Sequence, residues 1–110
     1  MSTTEFAARV RSNGTGPVVE LSGQISAGAE SGLQEAYAEV SAEPKLLLDF
    51  SAVDYINSTG IALIVGILAQ ARKNGQQLEA IGLREHYREI FRITRLSDFM
   101  TILDEGEGEQ

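Results

Sequence analysis

The sequence predicts one α/β domain with a mixed β-sheet, whose elements follow the order ββαβαβαβ. Two short apolar runs flank the turn-forming segment SNGTGP at 12–17, which is typical of an antiparallel hairpin. Three later strand-like runs are separated by segments in which apolar residues recur at helical spacing. Helices that link consecutive strands favour right-handed crossovers, so we expect the later strands to be parallel.

The strand predictions rest on apolar runs that end at turn-forming residues. Gly23 is expected to end the second strand, and a connector is expected between Phe50 and Ser58. The three leucines at 46–48 suggest a central strand covered on both faces. The predicted strands are Glu5–Arg11, Val18–Leu21, Lys45–Phe50, Gln77–Ile81 and Phe99–Leu103.

Three helices are predicted between these strands. The first spans 26–40 with Ser26 as its N-cap, and the residues SAEP at 41–44 stop it. The second begins at Ser58 and ends in the segment RKNG at 72–75, where cations and then a glycine are expected. The third spans 84 to about 95. Tyr37, Tyr55 and Tyr87 lie on apolar stripes and are expected in the core.

Composition limits the classes of function. The chain has 110 residues, of which 43% are hydrophobic, enough for one packed domain. The absence of cysteine excludes disulfides, thiolate catalysis and zinc–thiolate sites. A net charge of −7 argues against nucleic-acid binding. Four acids and two glycines crowd residues 104–110, so we expect a domain at 1–103 followed by a disordered acidic tail.

No targeting or membrane-spanning segment is recognised in the sequence. The first residues, MSTTEFAARVRSNG, lack the apolar stretch of a secretory signal. The longest apolar run, 61–69, is too short to cross a bilayer of about 30 Å. We therefore expect a cytoplasmic protein without a membrane partner.

The segment VDYINSTGIALIVGIL at 53–68 places two hydroxyl residues and a glycine where the second helix begins. A helix start presents unpaired N–H groups and about half a positive charge, so Asn57 or Ser58 is a candidate cap. A phosphate on Ser58 would sit beside these donors. Gly60 permits a close approach of another backbone. The motif fits either a plain cap or a phosphorylation switch.

The stretch LLLDFSAVDYINSTGIALIVGIL, with LREHYREIFRITRLSDFMTIL after it, resembles STAS domains, in particular bacterial anti-sigma factor antagonists. The resemblance covers residues 5–103. It implies a protein without chemistry, cofactor or metal of its own. It also implies that the unmodified protein binds an anti-sigma factor, usually a serine kinase, and thereby frees a sigma factor for transcription. The kinase then phosphorylates Ser58, which releases the complex, and a phosphatase resets it.

The resemblance also implies which residues contact the partner. The expected contact residues are Gly23, Gln24, Ser26, Asp49, Asn57, Thr59, Gly60 and Ile61. This sequence departs from the family pattern at Asn57 and Ser26, where family members commonly carry acids. It also ends in the acidic tail, where they usually carry a final helix.

Two other functions stay open at this point. The segment TGIALIVGILAQARKNG also resembles the small STAS subunit that docks on the ATPase of bacterial lipid transporters. A small hydrolase or nucleotide-binding enzyme would use Ser58 with Asp49 or Asp54, but it lacks a plausible base, since His86 is expected at the surface of another helix.

The third helix also carries a stripe of basic side chains. Its members are Arg84, Arg88, Arg92 and Arg95. The stripe is either a docking surface for an acidic partner or a solvated face paired with Glu85 and Glu89, and we favour the second interpretation.

Overall fold

The computed structural model describes residues 5–103, which form a five-stranded sheet and three α-helices. The elements are β1 (Ala7–Ser12), β2 (Pro17–Ile25), α1 (Glu30–Val40), β3 (Lys45–Ile56), α2 (Ser58–Lys73), β4 (Gln77–Ile81), α3 (Glu85–Ile93) and β5 (Thr101–Leu103). Short 3₁₀ turns at Ala27–Ala29 and Leu96–Asp98 precede α1 and β5. The predicted acidic tail at 104–110 lies outside the described residues.

The sheet has the order β1-β2-β3-β4-β5, in which β1 is antiparallel to β2 and the remaining pairs are parallel. This confirms the predicted fold class, a mixed sheet with helices linking its parallel strands. Strands adjacent in sequence are adjacent in space because each crossover is a single helix of modest length. The carboxyl ends of β2 and β3 consequently meet at one edge of the sheet, where α2 begins.

All three helices pack on one face of the sheet. On β3, Leu46, Leu48 and Phe50 point into the core, and the ring of Phe50 meets that of Phe91 from α3 edge to face, with 6.2 Å between centroids. Leu47 and Asp49, on the opposite face, are only half-buried. The expectation that β3 is covered on both faces was therefore wrong for the described residues.

The second and third strands are longer than predicted. Gly23 does not end β2. It adopts a positive φ of 82°, and the pairing with β3 resumes after it in a shifted register. Gln24 then pairs with Tyr55, and Ile25 with Ile56. The expected connector after Phe50 is consequently strand. A bulge hides such a continuation from sequence reading because it breaks the alternation of side chains.

Two other element boundaries and one core assignment also differ from those predicted from the sequence. Ser26 makes no side-chain cap, since a 3₁₀ turn stands between it and α1. The last strand begins at Thr101 rather than Phe99, which is 48% exposed. Tyr55 is 51% exposed and lies outside the core, whereas Tyr37 and Tyr87 are buried as predicted.

No helix within the described range is long and apolar enough to span a membrane.

A polar cluster fastens the end of α1 to the loop between α2 and β4. The Gln76 side-chain amide donates to the backbone carbonyls of Val40 and Glu43, each at 2.8 Å. The Tyr37 hydroxyl donates to Gln76 Oε1 and accepts from Asn74 Nδ2. One side chain thus pairs the carbonyl of the last residue of α1 and a carbonyl of the loop that follows, in a region where helices leave carbonyls without internal partners.

Replacing Gln76 with alanine should lower the free energy of unfolding by about 2 kcal/mol, because the Tyr37 hydroxyl and the Glu43 carbonyl lose their hydrogen bonds to Gln76 and the Val40 carbonyl keeps only the one from the Glu43 N–H. Urea denaturation measures this loss. The matched control is Gln34→Ala, which removes an exposed amide contact to Gln70 and should cost less than about 0.5 kcal/mol. Equal losses in the two variants would contradict a structural role for the cluster.

Candidate docking site at the start of the second helix

The candidate site lies where the ends of β2 and β3 meet the first turn of α2. Ile25 and Ile56 end the two strands as paired neighbours, and the Asn57 N–H donates to the Ile25 carbonyl at 3.3 Å. We call the group formed by Gln24, Ser26, Tyr55, Asn57, Ser58 and Thr59 the Ser58 patch. Strand pairing alone therefore brings together residues from two segments that are distant in sequence.

Asn57 is the N-cap of α2. Its backbone is extended, and its side-chain Oδ1 accepts from the Gly60 N–H at 2.8 Å. Its carbonyl accepts the first helical bond, from the Ile61 N–H at 2.9 Å. Asparagine is among the best N-cap residues because its short side chain reaches the free N–H groups of the first turn. Since Asn57 performs the capping, the Ser58 hydroxyl is not needed for it.

Gly60 allows α2 to pass against the end of β2. It is buried, and a Cβ placed on it would lie 1.9 Å from the Ile25 carbonyl oxygen and 3.0 Å from Ile56 Cγ2. No side chain fits in that space without moving backbone. The first turn of α2 is thus held by the Asn57 cap, by the Asn57–Ile25 hydrogen bond and by this close contact.

Ser58 and Thr59 are exposed on this fixed turn. Both side chains are open to solvent, while the backbone beneath them is held in place by Asn57 and Gly60. An exposed hydroxyl at a helix start is accessible to a modifying enzyme, and the neighbouring N–H groups favour an added negative charge. The arrangement therefore permits covalent modification without any rearrangement of the core.

Gly23 and Ile61 lie near the patch, but each packs inward. Gly23 is buried, and a Cβ on it would lie 2.2 Å from the Glu5 carbonyl oxygen, so the fold requires glycine at this position. Ile61 is half-buried against the hydrophobic core. Both residues therefore shape the surface from below, as Gly60 does.

Asp49 is not brought to the patch. It lies seven residues before Ile56 on the same strand, which corresponds to about 20 Å. Its Oδ1 accepts from the Ser51 N–H at 2.9 Å and from the Ser51 hydroxyl at 2.6 Å, on the open face of the sheet. Asp49 was expected at the site, near the end of the predicted strand Lys45–Phe50, but the strand continues to Ile56. Within residues 5–103, no three His, Asp or Glu side chains cluster as metal ligands.

A hydrogen bond from α3 supports the strand end beneath the patch. The Ile56 N–H donates to the Tyr87 hydroxyl at 3.0 Å, and Tyr87 is buried. Arg84, at the start of α3, donates to the Asp54 carbonyl at 3.3 Å. These two contacts fix the last residues of β3, from which Asn57 and Ser58 continue.

Two further arginines of the predicted basic stripe form local ion pairs. Arg92 pairs with Glu89, as the helical spacing predicted, and Arg95 pairs with Asp98 in the following turn. His86 is exposed and stacks edge to face on Tyr87, with 5.0 Å between ring centroids. These contacts favour the solvated face over a basic docking stripe.

Sequence reasoning missed an aromatic member of the patch. Tyr55 pairs with Gln24 across the strand ends, and its ring is half exposed. Its assignment to the core assumed regular alternation, but Val53 and Ile56 are the buried residues of this segment, with two exposed residues between them. The spacing of three between Val53 and Ile56 was the available signal.

Comparison with known sequences supports this fold. The model of the family described as "Mlab, STAS domain" matches residues 8–104. The anti-sigma-B factor antagonist of Listeria monocytogenes is 31% identical over 90 residues, which cover 79% of each chain. The anti-sigma-B factor antagonist of Staphylococcus aureus is 31% identical over 64 residues, which cover 58% of this chain and 59% of that one.

Solved structures show the same architecture. An anti-sigma factor antagonist from Mycobacterium paratuberculosis superposes with a TM-score of 0.75 at 21% identity, covering 89% of this chain and 85% of the other. The Bacillus cell fate determinant SpoIIAA in its phosphorylated form superposes with a TM-score of 0.69 at 16% identity, covering 93% and 96%. The element order, the sheet topology and the match over residues 8–104 agree, and the chain belongs to the STAS domain family.

Proposed function

We propose that this chain is an anti-sigma factor antagonist, which binds an anti-sigma factor through the Ser58 patch and is released when Ser58 is phosphorylated. The observation that carries the proposal is an exposed serine on a turn whose cap and close backbone contact do not involve its hydroxyl. The names of the Listeria and Staphylococcus relatives support the class of partner.

The physics of the turn explains how a phosphate would act on binding and not on folding. A phosphate on Ser58 adds about −1.5 to −2 charges beside the free N–H groups of α2. The folded domain tolerates this charge because Ser58 is exposed and lies at the favourable end of the helix. Modification therefore leaves the scaffold intact.

A docked partner would meet the same charge differently. A surface that fits a neutral hydroxyl must desolvate the phosphate or withdraw from it, and burying an unpaired charge costs several kcal/mol. Each loss of about 1.4 kcal/mol lowers affinity tenfold. In this proposal the anti-sigma factor is itself the serine kinase, a phosphatase restores the neutral surface, and the antagonist performs no chemistry.

A second candidate function is that of a small STAS subunit which docks on the ATPase of a lipid transporter. The matching family model is described as "Mlab, STAS domain" and not as an antagonist, which keeps this candidate open. Both candidates use protein docking, but they differ in the partner.

Co-purification from the native cells, combined with mass spectrometry of the recovered chain, tests the proposal. We expect a kinase-like anti-sigma factor among the stoichiometric partners and a fraction of the chain phosphorylated at Ser58. Recovery of a transporter ATPase in its place would support the second candidate. A chain that carries no phosphate under any growth condition, in cells where the anti-sigma factor is active, would contradict the switch.

A further inference from the structure

A shallow apolar groove lies at the end of α2 that is distant from Ser58. We call it the α2 groove; it has a volume of about 180 Å³ and is lined by Val65, Leu68, Ala69, Arg72, Leu96 and Phe99. Leu68 and Leu96 are buried and form its floor, whereas Val65 and Phe99 are 41% and 48% exposed. An apolar cavity of about 150 Å³ holds a benzene-sized ring, so one leucine or phenylalanine side chain fits this groove.

The groove lies on the same exposed face of α2 as Ser58. That face runs through Ser58, Ala62, Val65, Ala69 and Arg72, at alternating spacings of four and three residues, and all five are exposed. The helix rises about 1.5 Å per residue, so Val65 is about 10 Å and Ala69 about 16 Å from Ser58 along the axis. Both the serine and the groove are therefore within reach of one partner that lies along α2.

The charge at the groove indicates the chemistry of its occupant. Arg72 lies over the ring of Phe99, with its guanidinium carbon 4.9 Å from the ring centroid. Among residues 5–103, no carboxylate forms an ion pair with Arg72. An apolar side chain flanked by a carboxylate complements both the groove and the guanidinium on its rim.

We propose that the anti-sigma factor docks along the whole exposed face of α2, with a leucine- or phenylalanine-sized side chain in the α2 groove and a carboxylate beside Arg72. This inference rests on the proposed function and adds to it a second contact, remote from the phosphorylated serine. The interface then has two parts. Phosphorylation alters the end at Ser58, and the groove supplies apolar contact that modification does not touch.

Gly66 provides a control for helix stability, because nothing in the described part of the domain excludes a side chain at this position. It lies on α2 beside Val65, and a Cβ on it would meet no atom within 4 Å. Alanine is a better helix former than glycine, so Gly66→Ala should raise the melting temperature of the free protein by roughly 4 °C. Gly66 is half-buried and lies about 100° around the helix axis from Val65, so the added methyl is not on the exposed face that carries the groove. We therefore expect the variant to bind the anti-sigma factor within twofold of wild type although it is more stable.

Calorimetric titration with the purified anti-sigma factor, identified by the co-purification above, measures the contribution of the groove. Val65→Glu and Arg72→Glu should each weaken binding more than tenfold. Ile93→Glu is the matched control, since Ile93 is 65% exposed but does not line the groove, and it should bind within twofold of wild type. Melting curves of each variant separate a loss of binding from a loss of folding.

The outcomes distinguish this inference from the proposed function. If Val65→Glu and Arg72→Glu both bind as wild type while Ser58→Glu does not, the groove proposal is overturned and the switch stands. If Ser58→Glu also binds as wild type, or if no anti-sigma factor is recovered, both fail. If sedimentation shows that the free chain self-associates and that Val65→Glu abolishes this association, a second copy occupies the groove and the proposal is overturned.

Discussion

Replacing Gly60 with alanine is expected to lower the free energy of unfolding by about 3–4 kcal/mol, a large loss for a single methyl group. The added carbon would lie 1.9 Å from the Ile25 carbonyl oxygen and 2.7 Å from its carbon. Both atoms belong to the backbone of Ile25, the last residue of β2, which pairs with Ile56 of β3, so they move only if α2 or the end of this strand pair moves. The displaced first turn would also lose the Asn57 cap.

Urea denaturation of Gly60→Ala and Gly66→Ala compares two glycines of the same helix. Because Gly66 meets no atom within 4 Å, its replacement should stabilise the domain by about 0.5–1 kcal/mol. The two variants should therefore change stability in opposite directions. A Gly60→Ala protein within about 1 kcal/mol of wild type would contradict the close approach of α2 to β2.

Replacing Ser58 with glutamate is expected to weaken binding of the anti-sigma factor about 100-fold, which corresponds to about 2.7 kcal/mol. The carboxylate puts a charge at the centre of the Ser58 patch, where the partner would have to bury it. Stability should change little, because Ser58 is exposed and a negative charge suits the start of a helix.

Two control variants show whether the effect of Ser58→Glu comes from its charge. One removes the hydroxyl without adding a charge, and the other adds the same charge at a different position. Ser58→Ala keeps the patch neutral and should bind within about threefold of wild type, since a lost exposed hydroxyl costs about 0.6 kcal/mol at most. Ser31→Glu places the same charge on an exposed serine in the first turn of α1, and it should bind as wild type. A similar loss in all three variants would indicate a general effect on the protein and not a switch at Ser58.

Much of the fold could be predicted from local patterns. The hairpin, the three helices and the parallel strands follow from apolar spacing and turn residues, and β4 was predicted with the bounds that the structure gives it. The ends of β2 and β3 could not be predicted in this way. Their last residues pair across a register shift at Gly23, and that pairing depends on contacts between strands and not on either segment alone.

The candidate site was predictable where its chemistry is local and was missed where it depends on tertiary packing. The small residues of the Ser58 turn follow from the sequence motif, and the structure explains Gly60 by its contact with Ile25. Asp49 was grouped with the site because the true length of β3 was hidden. Val65 lies in the apolar run of α2 and Phe99 at the start of the predicted last strand, and only the assembled fold leaves them exposed beside each other.

The central claim is that a phosphate on Ser58 ends docking without disturbing the domain. The most direct test is calorimetric titration of the purified anti-sigma factor with two preparations of this chain, one unmodified and one phosphorylated at Ser58, each with its melting temperature recorded. We expect the phosphorylated chain to bind at least 100-fold more weakly and to melt within about 3 °C of the unmodified chain. Equal affinities, or a phosphorylated chain that no longer folds, would contradict the claim.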